Sequence, residues 1–530
     1  MVLSRSPALS DRQGFDRRWF APDLDRVYLP TTGAEVAAAW AEIVANGPGG
    51  PGATQITCGR HCYENFVYRD ETRTIIDVTG LRDFGEDPAY GFYIGVGYGN
   101  WDMYRIFNNV YSRTLPAGSC YSVGLGGHIT GGGYGILSRQ WGLTVDHMTA
   151  VDIVVKTGHK PELITASASE NADLFWAVRG GGGGNFGIIT RYYFGDPPQA
   201  PNHMASNAFT FDWTGADGTL AMTLDRFTDL LTAFAAFSET GQGGPQNDFD
   251  IFHGNHKAAG SIVWSSYSFD LPGEGLSAAD HAAAMAERYA AKRAMLADLA
   301  PLSETPGPIL GHPWHGSARH IMPQSDDATH RSYTFLEGVQ NANGSGPNRF
   351  GKYKSAYMNK AFTPEMIEAL WTGLQIVPDG MDMSASLCQV DSYGCAINAV
   401  APDATPIPQR SAIMKLQYQT YWDNACGVGR QDPAQTAAHV KWIDTMYTDV
   451  YGAYGGFPDP RNDSGGVVDG CYYNYCDNAL GVNGQPDPGI DHAMYLYFKE
   501  NFQERPQNLQ SVKARWNPEN WFNGPQSIPI

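Results

Sequence analysis

The chain has no run approaching the roughly twenty apolar residues that a membrane-spanning helix needs, so no contact with a membrane is expected. Its opening, MVLSRSPALSDRQGFDRRWF, lacks the apolar centre of a secretion signal, and a cytoplasmic protein is expected. Positive charge is scarce too. Lys and Arg number 36 against 55 Asp and Glu, a formal net charge of −19. That balance excludes a nucleic-acid partner, because phosphate binding needs a basic face. Charged residues are only 17% of the chain, too few for a disordered acidic polymer. Eight cysteines in 530 residues do not make a disulfide scaffold. Cys58 and Cys62 sit close in sequence, as do Cys471 and Cys476, but neither pair has C-x-x-C spacing. No matching His/Cys set accompanies them, and no metal is expected.

Two catalytic signatures are also missing, the G-x-x-x-x-G-K-[ST] phosphate loop and the G-x-S-x-G nucleophile elbow. A third is present in letters only. Gly182-Gly183-Gly184-Asn185-Phe186-Gly187 satisfies G-x-G-x-x-G, yet it follows the helical pattern NADLFWAV and opens the strand pattern IITRYYF. A dinucleotide fingerprint needs the reverse order, so that pyrophosphate meets helix-end amides.

What is there suffices for two large domains: 42% of residues are hydrophobic and 12% aromatic. Residues 30–47 (PTTGAEVAAAWAEIVANG) read as an amphipathic helix. Thr32 and Glu35 form its capping box, Val36, Trp40, Ile43 and Val44 share a face, and Gly47 ends it. Residues 72–81 and 151–158 read as strands, and 171–194 as helix, glycine turn and strand. Further on, AFTFDWTG (208–215) alternates like a strand with one wet face. Residues 276–300 read as an Ala-rich helix, and 362–375 as a helix capped by Thr363 with Pro364 at its first position. SAIMKLQYQTYW (411–422) and CYYNYCD (471–477) read as strands, and 497–523 as a closing helix with an aromatic tail. The class is α+β, antiparallel sheet with covering helices.

The densest glycine stretch, GSCYSVGLGGHITGGGYG (118–135), holds eight glycines, one cysteine and one histidine. Glycine is costly to order, so such a run serves either converging backbone amides that bind an anion or a tight turn in a packed sheet. A second turn, GRHCYENF (59–66), carries another histidine.

Taken together, CGRHCYENF, SCYSVGLGGHITGGGYGILSRQWGL, LFWAVRGGGGGNFGIIT, YYNYCDNALG and WNPENWFNGPQSIP resemble the berberine-bridge-enzyme group of FAD-linked oxidases, among them the actinomycete enzymes that tailor secondary metabolites. The likeness runs from the N-terminal helix to the last residue. It implies a two-domain vanillyl-alcohol-oxidase/PCMH-type FAD-binding fold. An FAD-binding domain would span 1–207, with 486–530 returning to it, and a substrate-binding domain 208–485 would be an antiparallel sheet covered by helices.

The resemblance also implies roles. His61 bonds the flavin 8α-methyl and Cys120 bonds ring carbon 6, so FAD is held covalently at two points. Gly59, Arg60 and Cys62 flank the first link, although the family usually has Gly-Gly before the histidine, and Arg60 departs from that. Gly124, Gly126, Gly127, His128, Gly131, Gly132 and Gly135 bring backbone against the ring and the pyrophosphate, joined by Gly187, Ile189 and Asn474. Val123, three residues after Cys120, marks an oxidase that reduces O2 to H2O2. The base is Tyr475 of Asn474-Tyr475-Cys476-Asp477, a tyrosine of lowered pKa that takes a hydroxyl proton. Strand alternation puts Tyr473 on its face, with Tyr472 and Asn474 opposite, and Tyr393 resembles a second active-site tyrosine. The implied reaction takes hydride from a secondary alcohol of a hydrophobic, polyketide-type small molecule and yields a ketone. Oxidative ring closure and sugar or lactol oxidation on the same flavin are alternatives, as is a flavin-retaining protein without turnover.

Overall fold

The computed structural model describes residues 3–215, 222–270, 331–423, 431–480 and 489–530, with isolated helical and strand residues between 280 and 326. Three sheets organise them. The first runs Ser4–Arg5, Arg26–Tyr28, Thr74–Asp77, Thr54–Thr57, and its last three strands are parallel. The second is antiparallel, in the order Phe84–Asp87, Gly91–Gly95, Ile188–Phe194, Met148–Val155, Glu162–Ser167. The third has nine strands, all antiparallel, beginning at His203–Asp212 and containing Phe249–Asn255, Ser386–Ser392, Met414–Trp422 and Phe350–Met358 side by side. This is the α+β architecture expected. Among the described residues, no helix is long and apolar enough to cross a membrane.

Capping chemistry sets the helix starts. Helix Gly33–Asn46 begins where Thr32 Oγ1 accepts from Glu35 N, and the Glu35 carboxylate reaches back to Thr31 rather than to Thr32. Val36, Ala39, Trp40 and Ile43 are buried, but Val44 is 37% exposed, because one step past Ile43 turns it about 100° off the apolar stripe. Trp40 packs on Trp521 and Phe522, which ties the C-terminal segment to the N-terminal sheets. Helix Pro364–Gly373 starts at Thr363 as expected. With Leu224–Ser238 and Pro433–Val450 it forms a layer on the nine-stranded sheet.

The face of that sheet turned away from the helices matters most here. Along Met414–Trp422, period-two alternation sends Tyr418 and Trp422 toward the helix Pro433–Val450, where they meet Tyr447 and His439. Lys415, Gln417, Gln419 and Tyr421 take the other face, and Asp391 lies directly across from Lys415 on the neighbouring strand.

Two expectations meet a different result. Residues 471–477 are a turn, not a strand: Tyr475 N donates to Tyr472 O at 3.0 Å. The closing segment is two helices, Gly489–Phe498 and Leu509–Trp516: the first stops where Lys499 takes a left-handed φ of 49°, and the second is started by the Asn508 cap. The Ala-rich stretch 276–300 lies largely outside the described residues.

Candidate active site

One cleft of about 340 Å³ collects nearly every motif. Its volume suits a cofactor-sized molecule rather than an ion. The turn after strand Thr54–Thr57 brings His61, the loop ahead of helix Leu125–His128 brings Cys120, and both line the cleft. So do Gly59, Arg60, Cys62, Val123, Gly124, Gly126, Gly127, His128, Gly187, Ile189, Asn474, Tyr473 and Tyr475.

The His61 ring stacks on Phe15, with centroids 4.8 Å apart, and its Nε2 lies 2.8 Å from Ser122 Oγ. Burial pushes its pKa down to about 4, so the imidazole is neutral at physiological pH and keeps a lone pair for bonding. Burial raises the Cys120 thiol. The Arg60 departure has a structural account. Arg60 sits at φ 61°, the left-handed region that glycine adopts freely. Its guanidinium is held there by Asp77 at 2.6 Å and Asp11 at 3.2 Å, while its carbonyl accepts from Phe15 N. Ion pairing stabilises a backbone that sterics disfavour.

The glycines divide into two classes. A Cβ on Gly127 would meet nothing within 4 Å, so its bareness leaves room in the cleft. Gly131, Gly132 and Gly135 do not line the cleft. A Cβ on Gly135 would lie 1.8 Å from Ala117 O, and one on Gly131 2.1 Å from Asn474 Oδ1. Gly135 keeps two backbones close and Gly131 leaves room for the Asn474 side chain; at Gly132 the backbone φ of 117° is what calls for glycine. His128 is held by a backbone bond, Gly118 N donating to its Nε2 at 2.9 Å, and burial lowers its pKa to about 4.

The tyrosines are sorted by the turn at 471–477. A turn brings residues three apart together, so Tyr475 faces Tyr472, with ring centroids 4.9 Å apart, and not Tyr473. Tyr473 points to the far end of the cleft, against Gly182, Tyr497 and Phe498. Tyr393 does not line the cleft at all. It lies one layer behind, 5.2 Å from the ring of Tyr134, which does.

The residues that sequence reading missed lie on the sheet face opposite Tyr475. Lys415, fully buried, donates from Nζ to Tyr475 Oη at 3.2 Å and pairs with Asp391 at 2.8 Å. Its ammonium also sits 4.3 Å from the Tyr475 ring centroid. Gln417 Nε2 donates to Tyr63 Oη at 3.0 Å, and Tyr63 stacks on Tyr353 at 3.7 Å. The signal was in MKLQYQTYW: a lysine and two glutamines at alternate positions of an otherwise apolar strand. Burial, then the Asp391 carboxylate, raises the Tyr475 phenol well above its ordinary value. That reverses the lowered pKa expected and leaves Lys415 as the group that opposes it.

Does the cleft fit a flavin dinucleotide? Asn100 lines it, is 1% exposed, and leaves both amide atoms without a partner, a donor and an acceptor aimed where a polar ligand would lie. The open side of Gly127 and the mostly apolar walls agree with a flat ring beside a polar tail.

Comparison with known proteins gives the same answer. Residues 24–162 match the FAD binding domain family, and 471–529 match the family described as Berberine and berberine like. Hexose oxidase of Chondrus crispus is 38% identical over 98% of this chain and 93% of its own length. Aclacinomycin-N/aclacinomycin-A oxidase of Streptomyces galilaeus is 30% identical over 97% of this chain and 87% of its own. The crystal structure of GilR, an oxidoreductase that catalyses the terminal step of gilvocarcin biosynthesis, superposes with a TM-score of 0.82 at 25% identity, covering 100% of both chains. The protein binds FAD in a vanillyl-alcohol-oxidase-type fold and belongs to the berberine-bridge-enzyme-like family of FAD-linked oxidases.

Proposed function

We propose that this enzyme oxidises a CH–OH carbon of a sugar ring to the carbonyl, with O2 as acceptor and H2O2 as co-product, on an FAD attached through both His61 and Cys120. The observation that carries the reading is Tyr475 in the cleft wall with its Oη 3.2 Å from the buried Lys415 ammonium. FAD, when bound, supplies the hydride acceptor and passes the electrons on to O2.

Everything else falls to the chain. Loss of hydride from a carbinol carbon leaves a protonated carbonyl unless the hydroxyl proton also departs. Tyr475 Oη is the atom that takes it, and Lys415, charge-balanced by Asp391, stabilises the phenolate that must exist first. Tyr63, which lines the cleft and is backed by Tyr353, gives a ring-shaped substrate an aromatic wall, and the Gln417 amide holds its hydroxyl in place. Val123 lines the cleft three residues after Cys120, the position that the family resemblance ties to reaction with O2. The likeness to hexose oxidase favours the sugar.

A second reading, a secondary alcohol on a hydrophobic polyketide-type molecule, is favoured by the likeness to aclacinomycin oxidase and by the aromatic wall. A peroxide assay on simple hexoses, glycosylated aromatics and lipophilic secondary alcohols separates the two. Peroxide from hexoses supports the first, peroxide from aglycone alcohols alone replaces it with the second, and none from any CH–OH compound removes both.

A further inference from the structure

Cys58 and Cys62 neighbour each other in sequence, as do Cys471 and Cys476, but the fold pairs them differently. Cys58 Sγ donates to Val96 O at 3.1 Å, and Cys471 Sγ donates to Ser355 O at 3.2 Å. The remaining two meet across 414 positions of chain, with Cys62 Sγ 4.0 Å from Cys476 Sγ. Both line the cleft. Each adjoins a functional residue, Cys62 following His61 and Cys476 following Tyr475.

The approach is enforced from outside the sulfurs. Glu64, two residues after Cys62, and Asp477, next to Cys476, are both bound by the same buried Lys352 ammonium. One residue further along each segment, Asn478 Nδ2 donates to Asn65 Oδ1 at 2.7 Å. Two polar bridges therefore hold the loops together beside the thiols. A disulfide requires S–S near 2.05 Å, so the sulfurs have about 2 Å to close.

We propose that Cys62 and Cys476 are an oxidative modification site, converted by hydrogen peroxide into a disulfide that ties the His61 turn to the Tyr475 turn. The Cys62 thiolate attacks one peroxide oxygen, the O–O bond breaks, and water leaves once a proton is added, giving a sulfenic acid. Cys476 then attacks that sulfur and displaces a second water. The balance is two thiols and one H2O2 to one disulfide and two H2O, with both sulfurs oxidised and both peroxide oxygens reduced. Cys62 is the attacking thiol because the hydrogen bond from Cys476 favours its thiolate, and the same bond raises Cys476. The natural source of peroxide rests on the oxidase reading above, since O2 reduced in the cleft leaves as H2O2 past both thiols.

The test uses reagent peroxide, which separates the two ideas. Holoenzyme without substrate is treated with one equivalent of H2O2, alkylated with N-ethylmaleimide in denaturant, digested and mapped without reductant. The expected result is a linked peptide pair with the bond located at 62 and 476 rather than at 471, reversed by dithiothreitol. A melting temperature several degrees above that of the reduced enzyme should accompany it. In Cys476→Ser, Cys62 should carry added oxygen and no cross-link should form. Full alkylation of both wild-type residues, separate oxidation to sulfinic acids, or a link to any other cysteine overturns the proposal, and wild-type mapping decides even if the variant does not fold. A cross-link with no peroxide from any substrate would leave the site standing and remove the oxidase reading.

Discussion

Asp391 and Lys415 stand directly opposite each other on neighbouring antiparallel strands, paired at 2.8 Å, and the pair is aimed at Tyr475. The site's pH behaviour follows. The phenol's pKa is raised by burial and then by Asp391, so Tyr475 is neutral at pH 7 and its base form appears only as pH rises. We expect the anaerobic flavin-reduction rate to climb about tenfold per pH unit until the phenol titrates. Replacing Lys415 with Met removes the opposing cation and should move that midpoint up by about 1–3 units. The double variant Asp391→Asn/Lys415→Met, which leaves no unpaired buried charge, checks that folding is intact. A midpoint that does not move takes Lys415 out of the chemistry.

Tyr475→Phe removes the proposed proton acceptor and keeps the ring. Stopped-flow reduction should slow about 10²–10⁴-fold, the range for loss of a general base, with bound flavin unchanged. Tyr473→Phe and Tyr393→Phe should change the rate far less, because one ring lies at the far end of the cleft and the other a layer behind it.

Covalent attachment is read from acid-precipitated protein. His61→Ala and Cys120→Ala should each keep the yellow colour in the pellet through the remaining link. The double variant should release it all to the supernatant. The His61 link should form down to about pH 4, since burial holds the imidazole neutral above that.

The motifs that line the cleft were legible because they are local: a histidine turn, a cysteine loop and glycine runs announce themselves over ten residues. The class of fold was legible from alternation and caps. Positions decided at long range were not. CYYNYCD alternates like a strand, yet Asn474 Nδ2 bonding to His128 O and Asp477 clamped by two lysines bend it into a turn that puts Tyr472, not Tyr473, beside Tyr475. Lys415 was invisible as a partner because its meaning depends on a strand about sixty residues ahead of Tyr475.

Two glycine substitutions should fail in opposite ways. A Cβ on Gly59 would sit 2.2 Å from Gly124 N, backbone against backbone, so Gly59→Ala should lower stability sharply and lose flavin with it. Gly127 has no neighbour within 4 Å on its Cβ side and lines the cleft. Gly127→Ala should melt within a couple of degrees of wild type as apoprotein while taking up less flavin. Equal flavin content in that variant would show that the space beside Gly127 is not cofactor space.

The buried cluster beneath the two turns sets the acid limit. Burial alone would raise the Asp477 carboxyl, but Lys352 and Lys354 outweigh it and hold the group well below the usual carboxylate range. A depressed carboxylate contributes stability that is fully present above its unfolded pKa, near 4, and is lost as pH falls toward the folded value. Denaturant melts between pH 7 and pH 2 should therefore show stability falling below about pH 4, and Asp477→Asn should flatten that slope. Lys352→Met removes the cation that Glu64 and Asp477 share, leaving Asp477 with Lys354 and Glu64 with Arg18 at 3.5 Å, and should lower stability at pH 7, less at pH 3, where the carboxylates can protonate. Because Lys352 bridges the His61 segment and the Tyr475 segment, the same variant should also loosen the tyrosine turn, read as slower flavin reduction with the flavin still attached. A Lys352→Met enzyme with wild-type stability and wild-type reduction would mean that the two turns are held together by something other than this cation.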